Sequence, residues 1–180
     1  NQISCDAIQS TYSNSTSFVV SVKGVNITTN DLIQALHSYP NLNEMNVFGL
    51  STITLNQNLT SHGLICRMIA PTITIGSPIT INLSGVCGQN GRDGEPGLNG
   101  APGGSGGNGG EFLMAAYYLK QEQLSQLAVN TNGGDGGRGG NGGIVNPGLG
   151  LPLSLPIPGI QGSGGSGGIV KIHDLKQGLI

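Results

Sequence analysis

The sequence predicts a mainly β chain with polyglycine-II helices: a strand-rich or solenoid-like N-terminal part with one short α-helix, then a bundle of three glycine-rich rods connected by strands. Three observations carry that reading. Threonine and isoleucine alternate in Thr52-Ile53-Thr54 and again in Thr72-Ile73-Thr74, so one side of each segment is buried and the other wet. From Gly88 to Gly109 glycine holds every third position, which is the turn of a left-handed extended helix of polyproline II type, without internal hydrogen bonds. An apolar segment, a glycine run and a second apolar segment also recur: ITINLSG and EFLMAAYYL flank the first run, LAVNTN and IVNPG the second, PIPGIQ and IVKIHDL the third.

In chain order, Ser17–Val22 is β-branched and reads as a strand that ends at Gly24. Residues 30–38 predict the helix: Thr29 or Asn30 can cap it, Asp31 suits its positive end, Leu32, Ile33 and Leu36 share a side, and Pro40 stops it. From Met45 the signal becomes β. Residues 51–55 and 71–75 match at a shift of twenty, a spacing suited to successive rungs of a solenoid, although an antiparallel meander would use the same residues. EFLMAAYYL is a strand, KQEQLSQL a short helical or turn segment, and IVKIHDL a final strand. The expected division is 1–87 for the β-rich part and 88–180 for the glycine-rich part, within one elongated domain.

Composition narrows the function. With 9% charged and 4% aromatic residues and 33 glycines in 180 positions, neither a conventional core nor a salt-bridged surface is well supplied. The net charge of −2 without a Lys/Arg cluster argues against nucleic acid, and no apolar run reaches membrane-spanning length. The N-terminal residues have neither a basic start nor an apolar core, which reads as a secreted chain whose signal peptide is already removed. Four sequons, at Asn14, Asn26, Asn58 and Asn82, would supply N-glycan as a solubilising coat. Cys5, Cys66 and Cys87 form no metal pattern. One disulfide plus one leftover thiol is the expected arithmetic, with Cys66 and Cys87 favoured because they stand about one rung apart, and three free thiols as the alternative.

A three-residue helix has three faces, so glycines per triplet count the neighbours that can approach closely. GRDGEPGLNGAP has one glycine face, whereas GGSGGNGG, GGDGGRGG and GSGGSGG have two. The runs are therefore expected side by side, the two later ones nearer the interior, and Arg92, Asp93 and Glu95 facing water or an adjacent subunit. A collagen triple helix shares the G-X-Y form but would need a longer register and more proline.

Over Gly88–Gly110 and Gly133–Gly143 the G-x-x and G-G-x triplets resemble polyglycine-II bundle proteins, represented by springtail antifreeze proteins and glycine-rich phage tail-fibre adhesin tips. The chain also looks like secreted eukaryotic proteins whose strands end in such runs. The resemblance implies rods packed by backbone contact. The long β portion and the sequons depart from it.

No chemistry is signalled. His37, His62 and His173 lack metal-site spacing, Asp93, Glu95, Asp135 and Arg138 read as solvated faces or rod-to-rod ion pairs, and no P-loop lysine follows the glycines. No enzyme activity, cofactor or metal is expected. The leading expectation is an extracellular structural protein that self-assembles into fibrils or a coat, joined through Phe18, Val20 and Val22 and through Leu151, Leu153, Leu155 and Ile157. The alternative is an ice-binding protein that uses a ladder of Thr52, Thr54, Thr72 and Thr74. A third option, a carbohydrate- or cell-binding adhesin, would rest on Tyr117 and Tyr118, one of which is expected to face the core.

Overall fold

The alternating apolar segments pair in parallel and in register. The computed structural model describes residues 2–12, 15–144, 156–176 and 178–179. Its elements run β1 (Ser4–Tyr12), β2 (Ser15–Thr28), α1 (Thr29–Ser38), β3 (Glu44–Leu55), β4 (Leu59–Thr60), β5 (Ile65–Ile75), β6 (Ile79–Asn82), β7 (Glu111–Leu119), α2 (Gln121–Leu124), β8 (Leu127–Asn130), β9 (Val170–Asp174) and β10 (Gly178–Leu179). The chain is thus mainly β with two helices among the described residues. It forms two compact units: Asn1–Ser84, Gly110–Thr131 and Gly168–Ile180 make the first, and Gly85–Gly109 with Asn132–Gly167 the second. The expected cut at residue 87 lies beside only one of the crossings between them, because the glycine runs are insertions between strands of a single unit.

In the first unit, β2, β3, β5, β7 and β9 are parallel neighbours in one sheet, closed by antiparallel β1 at one edge and antiparallel β10 at the other. A second parallel sheet has the order β4-β6-β8. Thr52 pairs with Thr72, Ile53 with Ile73 and Thr54 with Thr74, so the meander alternative is excluded. Inward residues of successive strands stack into one core that includes Val20, Val22, Met45, Val47, Ile53, Cys66, Met68, Ile73, Phe112 and Met114. Helix α1 buries Leu32 and Ala35. Its cap is Thr28, one residue earlier than expected, because the Asp31 carboxylate reaches back to accept from the Thr28 N–H (2.7 Å) and hydroxyl (2.8 Å).

Each long strand bends midway. On its inner side the bend carries only small residues, Gly24 and Gly49 opposite one another and Ala70 opposite Ala116. A Cβ on Gly49 would stand 3.0 Å from the Ala70 Cβ and 2.9 Å from Ile53 Cγ1. At the bend β5 and β7 lose strict alternation: after Ala70 the next inward residue is Ile73, and after Ala116 it is Leu119. Two consecutive side chains therefore point outward.

In the second unit, glycine amides donate to backbone carbonyls at every third residue. Four extended segments, residues 85–95 (g1), 98–109 (g2), 132–143 (g3) and 156–167 (g4), are joined in this way. Gly104 and Gly107 of g2 donate to Gln89 and Val86 of g1, each at 2.8 Å, in antiparallel order. Gly88 and Gly91 of g1 donate to Asp135 and Arg138 of g3, each at 2.7 Å, in parallel order. Segment g3 donates from Gly134, Gly137 and Gly140 to g2, and g4 donates from Gly159, Gly162 and Gly165 to g3. The first run is therefore a hairpin and not a single rod. It reverses at Glu95-Pro96-Gly97-Leu98, closed by Leu98 N–H to Glu95 C=O at 2.8 Å with Gly97 at φ 84°. Proline at the second position of a turn and a positive-φ glycine at the third is the type II pattern.

Segments g2 and g3 each bond to three others and g1 and g4 to two, so the innermost pair is the second half of the first run plus the second run. PIPGIQ, expected as a strand, belongs to g4: Gly100 and Gly103 donate to the Ile157 and Ile160 carbonyls.

Candidate functional site

The bend in the first unit presents a continuous outward stripe. Val25, Leu50, Pro71, Tyr117 and Tyr118 are exposed there, on β2, β3, β5 and β7. Strand β3 alone carries one extra residue. The pairing register slips between Gly24 and Asn26 on one side of it and between Phe48 and Thr52 on the other. This bulge lifts Leu50 out of the ladder to 74% exposure. Beside it lies an open groove of about 490 Å³ lined by Phe48, Gly49, Leu50, Ile69, Ala70, Pro71, Tyr117 and Leu175. A large apolar side chain next to an apolar groove is the most marked surface feature of this unit.

Tyr117 and Tyr118 are 48% and 58% exposed and meet edge to face, centroids 5.0 Å apart at 78°, with the Lys176 ammonium 5.9 Å from the Tyr118 ring. The expectation that one of them faces the core is corrected by the bend, which turns both outward. No sequence signal marked it except the small residue Ala116 before them, in the position of Ala70 before Pro71-Thr72.

The four threonines stand together. Thr52 is opposite Thr72 and Thr54 opposite Thr74, with a 3.3 Å hydrogen bond from the Thr74 to the Thr54 hydroxyl. Asn26 and Thr28 extend the two ranks on β2. All four hydroxyl-bearing side chains are half-buried.

Other candidates fall differently. Val20 and Val22 are fully buried, so they fill the core instead of forming a joint; the β2 alternation turns them inward, and Phe18, half-buried, packs against the same cluster. Ile157 is exposed in the second unit. Leu151, Leu153, Leu155 and Asn14 lie outside the described residues. Asn26 and Asn58 are exposed and Asn82 half-buried. Asn58 Oδ1 accepts from Thr80 N–H at 2.8 Å and Asn82 Oδ1 from Ser84 N–H at 3.2 Å. These bonds engage the amide oxygen, not the nitrogen that would carry glycan.

All three thiols are free, and the favoured Cys66–Cys87 bridge is not formed. Cys66 points into the core beside Met45 and Phe112, its register partners, and burial pushes its pKa up to about 12. Cys5 is exposed and is raised by partial burial and then by the Asp31 and Asp6 charges. Arg67 spans two neighbouring strands, pairing with Glu44 at 2.5 Å and Glu111 at 3.7 Å. The three side chains are half-buried and still reached by solvent, so the pairs add only modest stability.

In the second unit Asn90 and Asp93 do more than face water. Their Oδ1 atoms accept from the Arg138 N–H at 2.9 Å and the Asn141 N–H at 2.7 Å. Among the described residues no group of three His, Cys, Asp or Glu is placed to hold a metal, and no helix is long and apolar enough to cross a membrane.

No protein-family model, no curated protein and no solved structure matches the chain.

Proposed function

We propose that this is a secreted, glycosylated, non-enzymatic structural module, a parallel β-solenoid combined with a polyglycine-II bundle, that self-associates through the outward face of its solenoid bend. The carrying observation is the β3 bulge, which holds Leu50 out beside the groove of Phe48, Ile69, Pro71, Tyr117 and Leu175. A knob and a groove on one face are what an isologous contact between two copies needs. The low charge offers little repulsion against it.

The bend is favoured over the strand edges as a joint because it sets an exposed apolar side chain beside an apolar groove. An isologous contact stops at a dimer. Growth into fibrils or a coat takes a second joint, for which the exposed Ile157 and Ile160 of g4 are available.

Sedimentation of the full chain over a hundredfold concentration range tests the reading. Association that Leu50→Glu abolishes, with an unchanged circular dichroism spectrum, supports it. A wild type that is monomeric throughout ends it.

A second reading, ice binding, is favoured by the register of the threonine ladder. Its test is thermal hysteresis of the folded protein and its loss in Thr52→Val combined with Thr72→Val; no hysteresis in the wild type removes it. The edge-to-face tyrosines give no flat platform, which places sugar binding third.

A further inference from the structure

Five Asn-Gly dipeptides lie in the second unit: 90–91, 99–100, 108–109, 132–133 and 141–142. Three of them make the same clamp. Asn90 Oδ1 accepts from the Arg138 N–H (2.9 Å) while Gly91 donates to the Arg138 carbonyl (2.7 Å). Asn99 and Gly100 hold Ile157 likewise, at 2.9 and 3.0 Å. Asn108 and Gly109 hold Ser166 at 3.0 and 2.8 Å. In each, one dipeptide grips both polar groups of a single residue on a neighbouring segment. The pair 132–133 opens g3 with Asn132 also engaged.

Asn141-Gly142 makes no such clamp. Asn141 is the residue that is gripped, by Asp93 and Gly94, each at 2.7 Å. Its own side chain is exposed, and among the described residues the Gly142 N–H donates to no carbonyl. We propose that Asn141 is a site of spontaneous deamidation, and that the clamp protects Asn90, Asn99 and Asn108, which share its dipeptide.

In the reaction the glycine nitrogen gives up its proton to solvent base and attacks the asparagine Cγ. The new N–Cγ bond forms as the Cγ–Nδ2 bond breaks, and Nδ2 takes a proton from water and leaves as ammonia. Water then adds to either carbonyl of the resulting succinimide, giving aspartate or isoaspartate. The nitrogen reaches Cγ only if the peptide plane after the asparagine turns. At Asn90 that turn breaks two hydrogen bonds, from Gly91 and to the Asn90 side chain. At Asn141 it breaks one, the bond its carbonyl accepts from Gly94. The Arg138 amide would polarise the Asn90 Cγ, but the same bond holds that carbon away from the nitrogen. At Asn141, isoaspartate would lengthen the backbone by one methylene, breaking the three-residue period, and would add a carboxylate near Asp93.

The test is peptide mapping by mass spectrometry of the full chain during incubation at mildly alkaline pH, folded and in denaturant. One hydrogen bond of difference corresponds to roughly fivefold in rate. Asn141 is expected to convert about fivefold faster than Asn90, Asn99 and Asn108 in the folded protein, with the four rates converging in denaturant. The proposal is overturned if Asn141 does not lead in the folded chain, or if it keeps the same lead in denaturant.

Discussion

Gly136 and Gly164 occupy the same local sequence, the first glycine of a Gly-Gly-polar triplet, yet alanine should act on them with opposite sign. A Cβ on Gly136 would collide with the Gly162 carbonyl. That atom is backbone and cannot rotate away, so g4 must move off g3. The move strains the flanking bonds from Gly162 to Gly137 and from Gly165 to Gly134, both 2.8 Å. At about 1 kcal/mol net for each, the loss is about 2 kcal/mol. Restricting the unfolded chain returns about 0.4–1 kcal/mol. The net destabilisation of about 1–2 kcal/mol corresponds to a fall in Tm of roughly 2–8 °C for a chain of this size. At Gly164 the nearest atom to an added Cβ is the Gly134 carbonyl oxygen, 3.6 Å away, an ordinary contact, so only the unfolded-state gain remains and Tm should rise by roughly 1–4 °C. Scanning calorimetry of Gly136→Ala and Gly164→Ala reads both. Equal shifts, or a stable Gly136→Ala, would refute the close backbone contact between g3 and g4.

Two further outcomes are expected. Cys66 is protonated in the folded chain up to about pH 12 but would ionise near 9.0 when exposed. The native state therefore holds the extra proton, and stability present below pH 9.0 is lost as pH rises toward 12, by about 1.4 kcal/mol per pH unit. Urea titrations of wild type and Cys66→Ala between pH 8 and 10 should differ in slope, and parallel slopes would exclude thiol ionisation as the cause. Asn108→Ala removes the acceptor for the Ser166 N–H and should cost about 1 kcal/mol, seen as faster hydrogen exchange at Ser166, whereas Asn141→Ala should be near neutral.

Much of the first unit could be read from residue order, because its signals are local. The Thr/Ile alternation, the match between residues 51–55 and 71–75, and the helix at 29–38 each depend on neighbours along the chain. The bend was not legible. Whether Tyr118 faces in or out depends on how three parallel strands turn together, and its nearest cue, Ala116, is an unremarkable residue in isolation. Val20 and Val22 were misplaced for a related reason: a strand that seems to lack a core acquires one only when β3 is laid beside it.

The opening glycine run shows the same division. Glycine at every third position keeps its phase straight through Glu95-Pro96-Gly97-Leu98, so the period by itself cannot distinguish one long rod from two antiparallel ones. The turn was written in Pro96-Gly97, but those residues also fit the G-X-Y triplet. Asx-Gly pairs were ambiguous in the same way. A polar residue beside glycine serves a turn or a solvated face, and only a neighbouring backbone at the right height makes it a clamp.

By itself, the order of residues determined which backbone groups lack local partners: a three-residue period leaves every amide in search of a neighbour, and strict alternation gives each strand one apolar side. Only the tertiary structure decided which neighbour answers. Gly136 meets g4 and Gly137 meets g1 at clashing distance, whereas Gly164 meets g3 only at an ordinary contact distance, although all three lie in glycine pairs. The reason is that contact between extended segments is set by their packing around one another, and residues far apart in sequence bring those carbonyls together.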